Sequence, residues 1–143
     1  MDGNRRSCEE ALTSAEAQLG RVGGDDLAAE CYSINEFDRL AGSCYLFLGL
    51  PATAQPILER ASSSLAGKKS NAIALGNLTL AFIRQRKLDE AAATMHRTID
   101  AVERVRSGGG LNLAFSAGQE FRPWRDEVWA QEILDRLLAL MTA

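Results

Sequence analysis

The sequence predicts an all-α fold of about six to seven helices, arranged as stacked helical hairpins. Two stretches, Tyr45–Ala54 and Phe82–Ala91, align at a constant offset of 37 residues, and a period in the thirties is typical of such arrays. Apolar residues recur at intervals of three and four, and no segment alternates polar and apolar residues as a strand does. Turn residues fall at helix-length intervals, which divides the chain into hairpins.

Length and composition fit a single domain that spans residues 1–143, in which residues 1–7 are candidates for disorder. A chain of 143 residues can bury a sizeable core, and its net charge of −3 disfavours direct binding of nucleic acid. No apolar run approaches the ~20 residues of a membrane span, so we expect no membrane partner. The arginines near the N-terminus lead into glutamate-rich sequence, which is unlike a signal peptide.

The cysteines and the histidine indicate a cytoplasmic protein without a metal site or a cofactor. Cys8, Cys31 and Cys44 are scattered and form no C-x-x-C pair, as is typical of buried thiols in a reducing compartment. His96 is the single histidine, and no metal-ligating cluster surrounds it in the sequence. No nucleophile–base pair is recognisable, so we expect no catalytic residues and interpret His96 as a surface or groove-edge residue.

The helices follow in order from the spacing of apolar residues and from the breakers between them. The predicted ranges are 8–19, 26–49, 52–65, 70–85, 88–105, 111–121 and 126–141. The first is an amphipathic helix that a glycine-rich turn ends, and Asp25 or Asp26 is expected to cap the second. Gly49 is expected to end the second helix.

Prolines and glycines set the later boundaries. Pro51 starts the third helix, and Pro56 is expected near its first turn, where a missing N–H does little harm. Ser107–Gly110 is predicted to break the chain as a flexible loop, because it lacks the strand and the lysine of a phosphate-binding loop. The alternative is that its N–H groups bind an anion, with Arg106 and Asn112 beside them. After a turn at Arg122–Arg125, Asp126 is expected to cap the last helix. The apolar face predicted for that helix is Trp129, Ile133, Leu137, Leu140 and Met141.

The repeat resembles the tetratricopeptide pattern. At the repeat offset Gly42 pairs with Thr79, Tyr45 with Phe82 and Ala54 with Ala91, which match the small, aromatic and close-contact alanine positions of that family. The chain departs from the family by its longer period, by Thr98 in place of a usual alanine, and by lacking the proline near the repeat end. The resemblance implies antiparallel hairpins in a short right-handed array that binds other molecules. Since Glu9–Ala11 is similar to Asp89–Ala91, it also implies that the chain opens with half a repeat.

A finer resemblance is to the C-terminal helical-repeat region of actinobacterial transcriptional regulators of the helix-turn-helix (XRE) type. The residues that carry it are Glu36–Gly49, Leu88–Ala91, Gly108–Leu113, Arg122–Arg125 and Leu137–Met141. It implies an effector or dimerisation module of a regulator, with the DNA-binding domain outside this chain. Residues 80–101 are not themselves read as a helix-turn-helix, because no glycine or proline interrupts them before a recognition helix could start.

The first candidate site is a groove lined by the first helix of each hairpin. By the family pattern its residues are Arg39, Ser43, Phe47, Leu80, Ile83 and Arg84. An apolar groove edged by Arg39 and Arg84 would suit an amphipathic helix, or a small hydrophobic ligand with an anionic end. The alternative is that the aliphatic members pack on neighbouring helices of the same chain.

The second candidate site is an interface at the turn before the last helix. Its residues are Arg122, Trp124, Arg125 and Trp129. Tryptophan and arginine are the residues most enriched at interface hot spots, which favours an interface anchor. The alternative is that Trp124 holds the last helix against the array.

We therefore expect a protein- or ligand-binding regulatory module that works with a protein partner or as a homodimer. The expected dimer surfaces are the N-terminal helix and the tryptophan-bearing last helix. The competing interpretation is an enzyme or an accessory subunit with a ligand pocket inside the array. A buried pair such as Arg39 with Glu36, opening on a cavity, would favour that alternative.

Overall fold

The computed structural model describes Arg6, Glu10 and residues 27–105 and 108–142, with no side-chain description for residues 27–35. The predicted helix over 8–19, the glycine turn after it and the cap at Asp25 or Asp26 lie outside these residues, as do Arg106 and Ser107. Within the described ranges the ordered elements are all helical and no strand occurs, which confirms the all-α prediction.

The helices are α1 (Leu27–Phe47), α2 (Pro51–Ser64), α3 (Asn71–Arg84), α4 (Leu88–Val105), α5 (Gly108–Gln119) and α6 (Val128–Thr142), with a 3₁₀ turn at Arg122–Trp124 before α6. The predicted bounds of α4 coincide with the observed ones, and those of α1, α2 and α3 agree within two residues. Because α2 begins at Pro51, Pro56 lies a full turn inside the helix rather than in its first turn.

Two predicted boundaries are wrong. Gly108–Gly110 belongs to α5 instead of breaking the chain, although glycine is a poor helix former. Gly110 is buried, and Gly109 lies beside α3, where a Cβ would meet Ile73 Cδ1 at 3.4 Å. The last helix begins at Val128, so Asp126 is not at its cap position. Instead the carbonyl of Glu127 accepts the first helical bonds, from the amides of Ala130 and Gln131.

Each helix packs on its neighbour in the chain, and the pairs α1–α3, α3–α5 and α4–α6 also pack on each other. In this order α3 contacts α1 and α2 on one side and α4 and α5 on the other, while α4 also contacts α6. As a result α3 lies at the centre, and eleven of its fourteen residues are buried. We call α1, α3 and α5 the first helices of their hairpins, and α2, α4 and α6 the second helices.

Small residues let the paired helices approach closely. A Cβ on Gly42 of α1 would lie only 2.5 Å from Cγ and Cδ2 of Leu58 on α2. Gly118 on α5 is in the same relation to Leu137 on α6. Ala54 and Ala91, the predicted close-contact alanines, are both fully buried. Side chains from one helix therefore occupy the space that a larger residue would need on its partner.

The offset of 37 residues is also present in the backbone. Gly49 ends α1 with a φ of 77°, and Arg86, its equivalent after α3, has a φ of 62°. The hydrogen bond from Leu50 N to Tyr45 O, 2.9 Å long, recurs as one from Lys87 N to Phe82 O at 2.9 Å. Both first helices thus end in the same left-handed turn.

Candidate functional site

The predicted groove is only partly open. Leu80 is 8% exposed and Ile83 is 3% exposed, and both belong to the main hydrophobic core. The prediction that they line a groove is therefore wrong, and the alternative of packing within the chain holds for them. The physical reason is the central position of α3, whose two sides are covered by neighbouring helices.

Polar contacts bridge the first helices where the groove was expected. Asn77 Nδ2 on α3 donates to Ser43 Oγ on α1 over 2.7 Å. Arg84 Nη1 donates to the carbonyl of Leu46 over 3.4 Å, and its Nη2 reaches Glu120 Oε1 at 3.5 Å. These bonds join α1, α3 and the end of α5 in a row. Phe47, the remaining apolar member of the predicted groove, is 86% exposed at the end of α1.

Arg39 lies near the middle of α1, where it forms an ion pair beside a cavity. Its Nε donates to Glu36 Oε2 over 2.7 Å. The cavity has a volume of about 570 Å³, within the range of small-ligand sites. Its lining residues are Glu36, Arg39, Gly67, Lys68, Lys69, Ser70, Ile73 and Gly109. Three basic side chains and one carboxylate therefore meet there, so the cavity has a net positive lining.

The carboxylate of Glu36 is held in its ionised form. Burial raises its pKa, but the Ser70 hydroxyl, the Arg39 guanidinium and the charge of Lys68 together lower the pKa below the ordinary glutamate value. The Ser70 hydroxyl is close enough for this effect, although Oε1 of Glu36 accepts no hydrogen bond of good geometry. Glu36 and Arg39 thus form a half-buried charged pair at the mouth of the cavity.

The predicted tryptophan interface is an aromatic cluster that holds the turn before α6. The ring centroids of Trp124 and Trp129 are 6.4 Å apart, and Phe121 meets Trp129 edge-on at 5.9 Å. The guanidinium carbon of Arg86 lies 5.4 Å from the Trp124 ring. Both tryptophans are half-buried. This arrangement supports the alternative that Trp124 holds the last helix against the array. Arg122 and Arg125 are exposed.

An apolar cleft lies between α5 and α6, and sequence reasoning did not find it. Its volume is about 420 Å³, and its lining residues are Phe115, Gly118, Gln119, Arg122, Leu134, Leu137, Leu138 and Met141. Leu138 is 60% exposed and Met141 is 69% exposed. Only Gln119 and Arg122 are polar, so the cleft offers an open apolar surface with one cationic edge.

The prediction that Met141 shares the buried face of α6 is wrong. Ile133, Leu137 and Leu140 face the core, but Met141 lies at the cleft. The sequence did contain a signal, because Leu134, Leu138 and Met141 follow one another at intervals of four and three residues. This is a second apolar stripe beside the buried one, which a search for a single stripe overlooks.

Arg136 fixes α6 against α4. Its Nη1 lies 3.0 Å from His96 Nδ1 and also donates to the His96 carbonyl, while its Nη2 donates to Asp100 Oδ1 over 2.6 Å. Glu103 Oε1 accepts a further bond at 3.3 Å. The bond to Asp100 is the main reason why the pKa of Arg136 is raised, which keeps the guanidinium charged. His96 is thus half-buried and contributes to a structural contact between the helices.

Two other classes of site are absent from the described ranges. In residues 27–105 and 108–142 no group of three His, Cys, Asp or Glu side chains is placed to hold a metal ion. No described helix is both long and apolar enough to cross a membrane.

Comparison of the chain with protein-family models, curated proteins and solved structures gave no match.

Proposed function

We propose that this chain is a protein-binding regulatory module that accepts an amphipathic helix of a partner protein in the cleft between α5 and α6. In this proposal the hairpins form a tetratricopeptide-like right-handed stack without enzymatic activity. The module would act in the cytoplasm as the effector part of a transcriptional regulator, with DNA binding carried by another domain. The packing of α3 on α1, of α5 on α3 and of α6 on α4 supports the stacked arrangement.

The observation that carries the proposal is the exposure of large apolar side chains around a preformed cleft. Leu138 and Met141 project from α6 beside Phe115 and Leu134, which are half-buried. Grooves of this kind bind the apolar face of an amphipathic helix through anchors spaced three or four residues apart. Arg136 holds α6 in place against α4, so the cleft is formed before a partner arrives.

The packing order of the helices indicates that the occupant is a helix. The first helix α3 packs on both helices of the hairpin before it, and α5 likewise packs on both α3 and α4. The cleft between α5 and α6 occupies the equivalent place on the last hairpin. A further helix, placed as the first helix of a next hairpin, would therefore cover this cleft in the way that α5 covers α3 and α4.

The chemistry of that helix follows from the residues around the cleft. The first helices meet bulky neighbours with small residues, as where Gly76 of α3 receives the side chain of Leu113. The partner helix should likewise present small residues to Leu138 and Met141. An acidic residue at its edge would face Arg122, where the exposed guanidinium favours an anion.

The test uses a fluorescent peptide of residues 70–86, because α3 is a helix of the required type. We expect saturable binding in fluorescence anisotropy with a Kd on the order of 10–100 µM, which corresponds to a binding free energy of roughly −7 to −5.5 kcal/mol. Leu138→Glu should weaken binding at least tenfold by placing a charge in the apolar cleft. Ala139→Glu, on an exposed position of α6 outside the cleft, should leave it unchanged. A peptide of the same composition in shuffled order controls for non-specific adhesion.

Equal binding to the wild-type protein and to Leu138→Glu would reject the cleft as the binding surface. The same conclusion would follow if the shuffled peptide bound as tightly as the ordered one. Circular dichroism of both variants would show that α6 is intact in each case.

A second candidate function is the binding of a small anionic ligand, as an accessory protein or an enzyme would require. The observation that favours it is the Arg39–Glu36 pair at a cavity that Lys68 and Lys69 also line. Its test is the melting temperature of the protein in increasing inorganic phosphate at constant ionic strength. A saturable rise that is lost in Lys69→Ala would support this role, whereas an identical response of the two proteins would remove it.

A further inference from the structure

A further polar cavity lies between the end of α2, the start of α3 and the second half of α4. Its volume is about 310 Å³, at the lower end of the range of small-ligand sites. It shares only Gly67 with the cavity at Arg39, and it shares no residue with the α5–α6 cleft. Its lining residues are Ser62, Ala66, Gly67, Asn71, Leu75, Arg97, Asp100 and Arg104.

A buried hydrogen bond fixes the wall of this cavity that α2 and α3 form. Asn71 Nδ2, at the start of α3, donates to the carbonyl of Ser62 near the end of α2 over 2.7 Å. Both residues are buried although both are polar. Because this bond joins the two helices directly, the wall is in place before any ligand arrives.

Two arginines on the opposite wall have no acidic partner in this chain. Arg97 and Arg104 of α4 are exposed at the cavity. Asp100 lies three residues after Arg97 and four before Arg104, which are the spacings at which ion pairs form on a helix. Asp100 instead binds Arg136 of α6 over 2.6 Å. Among the described residues no carboxylate lies within ion-pair distance of Arg97 or Arg104.

The charges around the cavity favour an anion as its occupant. Asp100 is the single carboxylate of the lining, and Arg136 offsets its charge. Glu103 also binds Arg136, at 3.3 Å, but it does not line the cavity. Arg97 and Arg104 therefore present two positive charges that a ligand with two acidic groups would neutralise.

We propose that this cavity binds a small organic dianion with an acidic group at each end, such as a short dicarboxylate. The two arginines are seven residues apart, so their Cα atoms are separated by about 10 Å along the axis of α4. This separation favours one acidic group for each guanidinium, and each group can accept two parallel hydrogen bonds from its arginine. The small volume and the polar walls limit the occupant to a short, polar molecule.

Thermal unfolding in glutarate at constant ionic strength tests this binding. We expect a saturable rise in the melting temperature of about 3 °C at ten times the Kd. Butyrate has one acidic group and should give no saturable rise. Leu138→Glu should respond to glutarate as wild type does, so this proposal and the helix-binding cleft succeed or fail separately.

Substitutions of the two arginines identify the site. Arg97→Gln and Arg104→Gln should each raise the Kd for glutarate about fivefold or more, because each removes one charged partner. Circular dichroism should be unchanged, since both positions are exposed. Arg125→Gln, at an exposed arginine outside the cavity, is the matched control and should leave the Kd unchanged.

Nuclear magnetic resonance of the same titration locates the ligand. Glutarate should shift the side-chain amide signals of Asn71 and the backbone amide signal of Gly67, and these shifts should be lost in Arg97→Gln. Equal Kd values for wild type and Arg97→Gln, or equal binding of butyrate, would overturn the proposal. Loss of binding in Lys69→Ala alone would also overturn it by assigning the anion to the cavity at Arg39. Tighter binding of a peptide with two glutamates seven residues apart would identify an acidic protein segment as the ligand instead.

Discussion

The hairpins α1–α2 and α3–α4 share one backbone plan but fill their contacts with different chemistry. Both first helices end in a left-handed residue, which is Gly49 in one and Arg86 in the other. In the first hairpin Gly42 makes room for Leu58 of α2. At the position equivalent to Gly42 the second hairpin has Thr79, whose hydroxyl oxygen lies 3.4 Å from that of Thr98. Equivalent positions of the two hairpins are thus filled by a glycine in one and by a threonine that meets a second threonine in the other.

The difference between the hairpins follows from their neighbours. The first helix α3 is covered on both sides, and its outward positions Asn77 and Arg84 are engaged in bonds to α1. The equivalent positions on α1, Leu40 and Phe47, are exposed. The repeat therefore specifies the path of the backbone, while the neighbours of each helix decide what its outer side chains must do. Four substitutions test this division, beginning with the largest expected effect.

Gly42→Val should be the most destabilising of these changes. Its side chain would collide with Leu58, which is fully buried and cannot move away without disturbing the core. We expect a loss of about 3 kcal/mol in the free energy of unfolding, as for other overpacked cores. Urea denaturation measures it, with Ala93→Val on the exposed side of α4 as control. A cost near that of the control would show that α1 and α2 are not in close contact here.

Thr79→Val tests the threonine pair in the second hairpin. Each hydroxyl donates its one proton to the carbonyl four residues before it, Leu75 for Thr79 and Thr94 for Thr98. We expect Thr79→Val to cost about 1 kcal/mol, because one buried hydrogen bond is lost. Because both protons are donated to carbonyls, the two oxygens share no proton over 3.4 Å, and adding Thr98→Val should cost a similar amount again. A marked departure from additivity in urea denaturation would contradict this and show that the two hydroxyls share a hydrogen bond.

Glu36→Gln tests the ion pair on α1, at a position where α3 has Ile73. Because the pKa of Glu36 is lowered in the folded protein, its ionised form stabilises the fold. That contribution is present above the ordinary glutamate pKa of about 4.3 and is lost as the pH falls through the lower folded-state value. We expect the variant to be less stable by about 0.5 kcal/mol at pH 7, a usual size for a partly exposed pair. The difference should shrink as the pH falls below about 4.3, and a constant difference from pH 3 to 7 would count against the ion pair.

Arg86→Gly should have the smallest net effect. Removing a side chain from the left-handed region relieves about 1 kcal/mol of strain. The same change loses the contact of the guanidinium with Trp124, which is worth about 0.5–1 kcal/mol. We expect a change in the free energy of unfolding within about 0.5 kcal/mol of zero. Gly49→Arg, at the equivalent turn of the first hairpin, should instead destabilise by about 1 kcal/mol, and equal effects at the two turns would refute this explanation.

Local sequence patterns were sufficient to predict the all-α fold and the bounds of α1 to α4 within two residues. The range 88–105 contains no glycine or proline, so the predicted α4 coincides with the observed one. Gly49 marked the end of a first helix correctly, because its φ is in the left-handed region. These features depend on residues close together in the chain, and a single sequence contains that information.

Features that depend on the neighbours of a helix could not be predicted. Gly108–Gly110 was expected to break the chain, but packing of α5 on α3 and α4 keeps these residues helical. Leu80 and Met141 are both apolar residues on helices, yet one is buried and the other is exposed. Which of the two apolar stripes of a helix is buried depends on the number of helices that pack around that helix. The spacing of apolar residues along the sequence does not show this number.

Hydrogen–deuterium exchange of the protein, with and without the peptide of residues 70–86, tests the central claim most directly. That claim is that the stack of hairpins leaves its last pair open to receive a further helix. The account predicts slower exchange of backbone amides within α5 and α6 when the peptide binds, and unchanged exchange in α2. Slower exchange confined to α1 or α2, with α5 and α6 unaffected, would contradict it.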